Sequence, residues 1–448
     1  MNREHLNRRH FMSLCLAGGA MLLSPVLRAD DDNDGGSDGS NVNFALAQTG
    51  ITNRKVVVVG GGMAGATVAK YLRLWGGSGL EVTVVEKDPT YVSNIMSNLV
   101  LSGGRALSSL NYSHASLTSK YGVQVRNGTV VAINAQARTL TLADGTSLPY
   151  DRLVLAPGIR FDDAYGLTQA DYESAFPHAW HAGAQTQALR DQITGMQSGD
   201  TFVMTIPAKP YRCPPGPYER ACLVADYLKT SGKSGCKVVV LDENPAIQAE
   251  PHNFNLAFTQ THAGIIDYRP GVSGIKVDKT TRAVSFTQGG AQQVLTAKVI
   301  NVIPPQRAGT VVDLAGVNNS GGGRWAGVDV LSYASTAVPN IHIIGDASAT
   351  TQPKAGHVAN QEAKVCADAI VRAFLGQQPD PAPVTNSACY SPITNSTASW
   401  LTVVYQYDGS SKTMVPSGAG VVEAASISSK NFSQMNTWFN TLMADSFA

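Results

Sequence analysis

The chain is poor in charge. Asp, Glu, Lys and Arg make up 15% of its 448 residues, where a globular protein usually carries about 25%. The formal net charge is only +1, so there is no basic field of the kind that recruits nucleic acid. Cysteine is also sparse: six residues, no two of them spaced Cys-x-x-Cys. That excludes a disulfide scaffold, a zinc ribbon, a thioredoxin-type motif and covalent haem attachment. The apolar run from Phe11 to Val26, softened by Gly18 and Gly19, falls short of the roughly 20 residues that span a membrane. The 43 Gly and 22 Pro form no low-complexity tract, and 43% of residues are hydrophobic. Disorder is thereby excluded, and the length suggests about three domains.

What is present begins with Asn7-Arg-Arg-His-Phe-Met12 ahead of that apolar run. A twin-arginine pair before a mildly hydrophobic segment predicts a signal over residues 1–29 and export, already folded, to a bacterial periplasm. Residues 30–50, with Asp30, Asp31, Asp32, Asp34 and Asp38 among Gly and Ser, read as a flexible acidic linker. Cleavage after Ala29 and cleavage after Ala47 both suit the small residues there. Losing residues 1–29 leaves a net charge of −2, and losing the linker's five Asp as well leaves +3. Partner electrostatics therefore do not follow from the precursor.

The sharpest signal follows. Lys55 to Val59 is a β-branched run that ends in Gly60-Gly-Gly62-Met-Ala-Gly65, then a helical apolar pattern to Trp75, then a second strand from Glu81 to Val85 and Glu86. Strand, Gly-x-Gly-x-x-Gly, helix, strand and acidic residue is the order a dinucleotide fold requires. Gly60 permits the tight turn, Gly62 lets a pyrophosphate approach the backbone, Gly65 lets helix and strand pack, and Glu86 accepts from ribose hydroxyls. Two distant segments return to this nucleotide. Tyr150 to Gly158 is a strand running into Pro157-Gly158, and Asn340 to Asp346 is a strand ending in Gly345-Asp346 before a helix from about Gly356 to Phe374. Asp346 serves either as a helix cap or as a partner for a flavin's ribityl chain, with the helix N-terminus aimed at the ring. Two returning segments predict a two-part FAD domain over residues 51–165 and 300–376.

Between them, residues 166–299 carry the frame of a second Rossmann-like domain: strand Thr201 to Ile206, a helix near Tyr218 to Thr230, and strand Lys237 to Asp242. The turn after the first strand has five prolines between Pro207 and Arg220 and no glycine triplet. Proline removes N–H donors, so this turn is unsuited to a pyrophosphate, and NAD(P)H is not expected as electron donor. The loop instead presents a thiol, Cys213, with Glu219 six residues on. Cys222, Cys236 and Cys366 fall among apolar residues and read as small buried hydrophobes. Cys213 and Cys389 both read as loop residues. An oxidising compartment permits a bridge between them, structural or reactive, which their 176-residue separation leaves open.

These residues resemble the flavoprotein subunit of flavocytochrome c sulfide dehydrogenase, a relative of sulfide:quinone reductases. The resemblance runs over the mature chain and rests on Val57-Val-Val-Gly-Gly-Gly62, Phe176-Pro-His-Ala-Trp180, Arg212-Cys-Pro-Pro-Gly-Pro-Tyr-Glu-Arg220, Ile303-Pro-Pro-Gln-Arg-Ala-Gly309, His342-Ile-Ile-Gly-Asp-Ala-Ser348 and Cys389-Tyr-Ser391. It implies an α/β fold with two Rossmann-like domains of the glutathione-reductase-like, disulfide-reductase type and a small C-terminal α+β domain, here residues 377–448. It also implies that Cys213 and Cys389 form a redox-active disulfide beside FAD, with Glu219 as acid/base. Sulfide is the implied substrate, sulfur or polysulfide the product, and a c-type cytochrome the electron acceptor. One departure stands out. The family's flavin-tethering cysteine falls about where this chain has Asn94, and no cysteine lies between Cys15 and Cys213, so FAD is expected to be bound non-covalently. Two rival readings differ in the electron or sulfur partner: quinone reduction at the membrane, marked by an apolar patch on the tail, and thiol exchange with another sulfur-oxidising protein, marked by a wide approach to Cys213. In the tail, Trp438, Phe439, Leu442 and Met443 are expected to pack on the body or on a cytochrome rather than on a membrane.

Overall fold

The computed structural model describes residues 46–448. The twin-arginine pair, the signal and residues 30–45 of the linker lie outside the described residues. The end of the stretch read as linker is held against the body: Ala47 O accepts from Ser78 N–H at 3.1 Å and Thr49 Oγ1 donates to Gly76 O at 2.5 Å.

The elements that position the site run in chain order as follows. The first group is β1 (Arg54–Val59), α1 (Met63–Gly76), β2 (Leu80–Glu86), β3 (Gln124–Asn127) and β4 (Arg152–Leu155). The second is β5 (Thr201–Ile206), α2 (Gly216–Thr230), β6 (Lys237–Asp242), β7 (Ile266–Pro270) and β8 (Val299–Asn301). Then come β9 (Ile341–Ile343), α3 (Gly356–Phe374), β10 (Val384–Pro392), β11 (Ala398–Asp408), β12 (Thr413–Pro416), β13 (Val422–Glu423) and α4 (Ser429–Phe447).

Two sheets form the body. The first is an eight-stranded mixed sheet whose parallel part runs β9-β4-β1-β2-β3, and Val56 to Val59 are all buried. A continuous β-branched run needs both faces covered, which is what a parallel sheet between helices provides. The register aligns Val59 with Leu155 and Leu155 with Ile343. Three strands distant in sequence thus end at one edge, and Gly60, Pro157-Gly158 and Gly345-Asp346 emerge there together. In the second, the order is β7-β6-β5-β8, all parallel.

The tail is a small antiparallel sheet, β10-β11-β12 with β13 also on β11, followed by α4. It is joined to the first layer through a shared core. Phe439, Leu442, Met443 and Phe447 pack with α1 and α3, and Trp438 lies half-buried against Tyr390 and His357. The docking of this apolar face on the body follows from its burial, each large side chain contributing about 2 kcal/mol. Cys389 is not in a loop, as its Ser- and Pro-rich surroundings suggest. It is a mid-strand residue of β10 paired with Leu401. Among the described residues, no helix is long and apolar enough to cross a membrane.

Candidate functional site

The first half of the site is the edge where β1, β4 and β9 end. Gly60 has φ +100°, and a Cβ there would stand 2.3 Å from Ala156 O; one on Gly65 would stand 1.7 Å from Gly60 O. Both glycines are required by the protein's own backbone. Gly62 differs, since its nearest neighbour would be the Tyr91 ring at 3.5 Å, an ordinary contact. The space over Gly62 is left to something outside the chain. Neither α1 nor α3 has a side-chain cap on its first turn, so both helices keep N–H groups for an anion or a polar ring. Glu86 accepts from Gly61 N–H at 2.5 Å and from Asp88 N–H at 3.0 Å, which fixes its carboxylate at the end of β2. Gly158 O accepts from Gly309 N–H at 3.0 Å, and Pro157 packs on Gly309.

Gly345 has φ +70°, and its N–H donates to Glu362 Oε2 at 2.6 Å. The Asp346 side chain is 13% exposed, with Arg212 at 3.8 Å, and burial pushes its pKa up against the pull of Arg212 and Lys354. Burial likewise pushes Glu362 up to about 8 and Lys354 down to about 8. A sheltered carboxyl on a short turn, two uncapped helix ends and the clearance over Gly62 fit FAD.

The second half is the proline-rich turn between β5 and α2. Cys213 has φ +58°, a conformation that costs a non-glycine residue energy and persists only where the surroundings impose it. They do so here. Arg212 N–H donates to Gln306 Oε1 at 2.8 Å, Arg212 O accepts from Trp180 Nε1 at 3.2 Å, and Cys213 N–H donates to Lys354 O at 2.7 Å. Lys354 Nζ in turn donates to Asp346 O at 2.8 Å. One lysine therefore ties the Cys213 loop to the nucleotide edge.

Cys389 reaches the same place from the tail sheet. Cys213 and Cys389 stand as free thiols, each within electrostatic range of the other and of Glu219. Burial pushes the Cys213 thiol well up, with Cys389 and Glu219 adding and Arg212 opposing. Burial, then Glu250 and Glu219, pushes Cys389 up to about 12. Glu219, on the first turn of α2, is pushed by burial up to about 8. It is held by Asn98, whose Nδ2 donates to Glu219 Oε1 at 3.0 Å and to Gly216 O at 3.1 Å.

Sequence reasoning did not single out Asn98, Arg220 or Glu250. Arg220 is almost fully buried. It donates to Asn98 Oδ1, His178 O, Ala179 O and Asn301 Oδ1 at 2.6–2.9 Å and lies over the Trp180 ring at 4.7 Å. Burial lowers its pKa to about 9, and it remains a cation at neutral pH. This is the structural use of two segments that the sequence shows only as patterns, Phe176 to Trp180 and the arginine ending the cysteine loop. Cys222, Cys236 and Cys366 are all buried in the core, as expected.

Three family descriptions match the chain in succession: pyridine nucleotide-disulphide oxidoreductase over residues 54–192, sulfide dehydrogenase (flavocytochrome c) flavoprotein chain, central, over 186–304, and flavocytochrome c sulphide dehydrogenase, flavin-binding, over 381–447. The chain belongs to the flavocytochrome c sulfide dehydrogenase flavoprotein family. It is an FAD-containing flavoprotein oxidoreductase of α/β disulfide-reductase type. Among solved structures it is similar to the sulfide:quinone oxidoreductase of the bacterium Aquifex aeolicus, with a TM-score of 0.73 and 18% identity over 88% of this chain and 91% of that one. It is also similar to a putidaredoxin reductase in covalent complex with putidaredoxin, with a TM-score of 0.61, 19% identity and coverage of 88% and 94%. In sequence it is 24% identical to the probable ferredoxin reductase CtmF of Castellaniella defragrans over 67% of this chain and 69% of that protein.

Proposed function

We propose that this flavoprotein is a periplasmic sulfide dehydrogenase in which Cys213 and Cys389 form a redox-active disulfide and a c-type cytochrome takes the electrons. The observation that carries the reading is the Lys354 link. Two thiols 176 residues apart in sequence share one place with Glu219, and the loop bearing one of them is bonded to the lysine that also holds the Gly345-Asp346 turn. A structural bridge has no need of either neighbour.

The chemistry follows from the thiols. Hydrosulfide attacks one sulfur of the bridge, breaking the Cys213–Cys389 bond and leaving a persulfide on one cysteine and a thiolate on the other. A second hydrosulfide takes the outer sulfur as hydrogen disulfide, HSSH, and leaves the second thiolate. Glu219, raised to about 8, is mostly protonated at neutral pH and so begins as the acid that meets the first thiolate. Arg212, whose charge favours the Cys213 thiolate, holds that anion. Bound FAD supplies a two-electron acceptor, and closing the bond between two thiols releases two electrons and two protons. FAD is held non-covalently in this reading, since no cysteine lies between Cys15 and Cys213 and Asn94 falls about where the family's tethering cysteine would be; Asn94 Oδ1 accepts from Ala182 N–H at 2.8 Å. The chain has no haem attachment motif, so a separate cytochrome completes the path. The burial of Phe439, Leu442 and Met443 on the body favours that acceptor over a membrane quinone.

An anaerobic titration of the FAD-loaded protein with sulfide tests this. Near-stoichiometric sulfide should bleach the flavin. The response should vanish in Cys213→Ser and Cys389→Ser and persist in Cys222→Ser, and acid precipitation should release the flavin. A flavin indifferent to sulfide would overturn the assignment.

A further inference from the structure

A second buried carboxyl stands beside the thiols, and the reaction above leaves it without a role. Glu250 is 2% exposed and has φ +50°, although it precedes Pro251, where an extended conformation is the usual one. Strain of this kind is kept where the fold holds a side chain in one place. Its Oε1 accepts from Ser391 Oγ at 2.5 Å. Ser391 lies two residues after Cys389 on β10, hence on the same face of the strand. Its other oxygen, Oε2, is buried, with the buried Ser399 hydroxyl as the second group that faces the carboxylate.

The next group outward repeats the pattern. Glu423, on β13, has one carboxylate oxygen on His252 N–H at 3.2 Å and the other buried without a partner. Exposed Val421, Val422 and His252 surround it. Glu250 is pushed by burial up to about 7, with the Ser391 and Ser399 hydroxyls opposing and Glu423 adding. The charge on Glu250 is felt by Cys389 on β10 and by Glu219 and Cys222 on α2.

The proton count asks for such a group. Two thiols closing to a disulfide release two protons and two electrons, and the thiols are largely enclosed. Glu219 takes one proton but is pinned inward by Asn98. We propose that Glu250 handles protons for Cys389 as Glu219 does for Cys213, and that Glu423 connects Glu250 to solvent. This rests on the dithiol reading above.

The test reads the thiol and the flavin separately. In a Cys213→Ser background, Glu250→Gln removes the neighbouring charge, so the pH profile for alkylation of Cys389 by iodoacetamide should move to lower pH. A thiol pKa lower by about 0.5 holds roughly three times as much thiolate at pH 8, and alkylation there should run roughly threefold faster. With both cysteines present, flavin bleaching by sulfide should slow by about 10-fold or more in Glu250→Gln and lose its limb near neutral pH, a direct acid/base contribution being on the order of 100-fold. Glu423→Gln should slow bleaching in the same sense but less, and it carries the test should Glu250→Gln fail to fold. An unchanged alkylation profile with unchanged bleaching overturns the proposal. A shifted alkylation profile in a protein whose flavin ignores sulfide overturns the sulfide reading and leaves the Glu250–Cys389 coupling intact.

Discussion

The same strand–turn–helix frame occurs twice in this molecule, and its two turns have been put to opposite uses. Between β1 and α1 the turn is glycine: Gly60 N–H is held by Val85 O and Gly61 N–H by Glu86, while the space over Gly62 and the uncapped first-turn N–H groups of α1 stay open. Between β5 and α2 it is proline and cysteine, and its N–H groups are already engaged. Ala208 N–H donates to Glu243 Oε2 at 2.9 Å, Lys209 N–H to Asn244 Oδ1 at 3.1 Å and Arg212 N–H to Gln306 Oε1 at 2.8 Å. A turn that leaves its helix-side N–H groups and the space over them open can take a phosphate group; one filled by prolines and side-chain acceptors holds a side chain still. The comparison teaches that the frame alone does not specify a nucleotide site. The fate of the turn's N–H groups does.

The largest effect should come from closing the first turn. Gly65→Ala puts a methyl 1.7 Å from Gly60 O, against backbone, and neither side can yield without moving β1 from α1. Such overpacking costs about 3 kcal/mol or more. Expression of this variant should give protein without flavin absorbance and with a depressed Tm. A yellow Gly65→Ala protein of wild-type Tm would mean that the turn is not the pyrophosphate cradle.

A smaller effect is expected at the matching glycine of the second turn. A Cβ on Gly216 would stand 2.9 Å from Cys213 Sγ and 2.9 Å from the Trp180 ring. Here the obstacles are side chains, so the fold can adjust at a cost of about 1–3 kcal/mol, and the atom displaced is the Cys213 sulfur of the proposed disulfide. Gly216→Ala should keep its flavin and still lose on the order of 10- to 100-fold in the rate of sulfide bleaching, the scale on which a misplaced reacting group is penalised. Stopped-flow absorbance checks it. Loss of flavin alongside the rate would place Gly216 in the nucleotide half of the site instead.

The two turns are also unequally legible. The glycine turn can be read because each of its residues answers to a backbone requirement visible in sequence. For the same reason β5 and β6, apolar and β-branched, appear at Thr201–Ile206 and Lys237–Asp242, the spans their composition predicts. Cys389 reads as a loop residue because Ser387, Ser391 and Pro392 are turn-forming in composition. Its strand is created by pairing with β11, a partner that composition does not reveal. Asn98 and Glu250 are silent for a deeper reason. Asn98 becomes the donor to Glu219 across 121 residues, and Glu250 becomes a neighbour of Cys389 through Ser391. Both roles exist only once distant segments meet. Arg220 lies in plain view within the cysteine loop's motif, yet an arginine there reads as surface charge until its acceptors are seen.

The smallest effect, none at all, is the sharpest test of the comparison. A dinucleotide needs an acidic residue at the end of the second strand as well as a free turn, and β6 does end in Asp242 followed by Glu243. Both are occupied. Asp242 accepts from Tyr218 and Tyr268 hydroxyls at 2.8 and 2.9 Å, and Glu243 Oε2 accepts from Ala208 N–H and from Tyr165 Oη at 3.1 Å. To bind NADH, the second domain would have to break these bonds inside its core and expel the prolines from the phosphate's place. Millimolar NADH added anaerobically should therefore leave the flavin spectrum unchanged, where sulfide bleaches it. Reduction by NADH would show that internal hydrogen bonding in a Rossmann-like turn is no bar to a nucleotide, and the contrast between the two turns would lose its meaning.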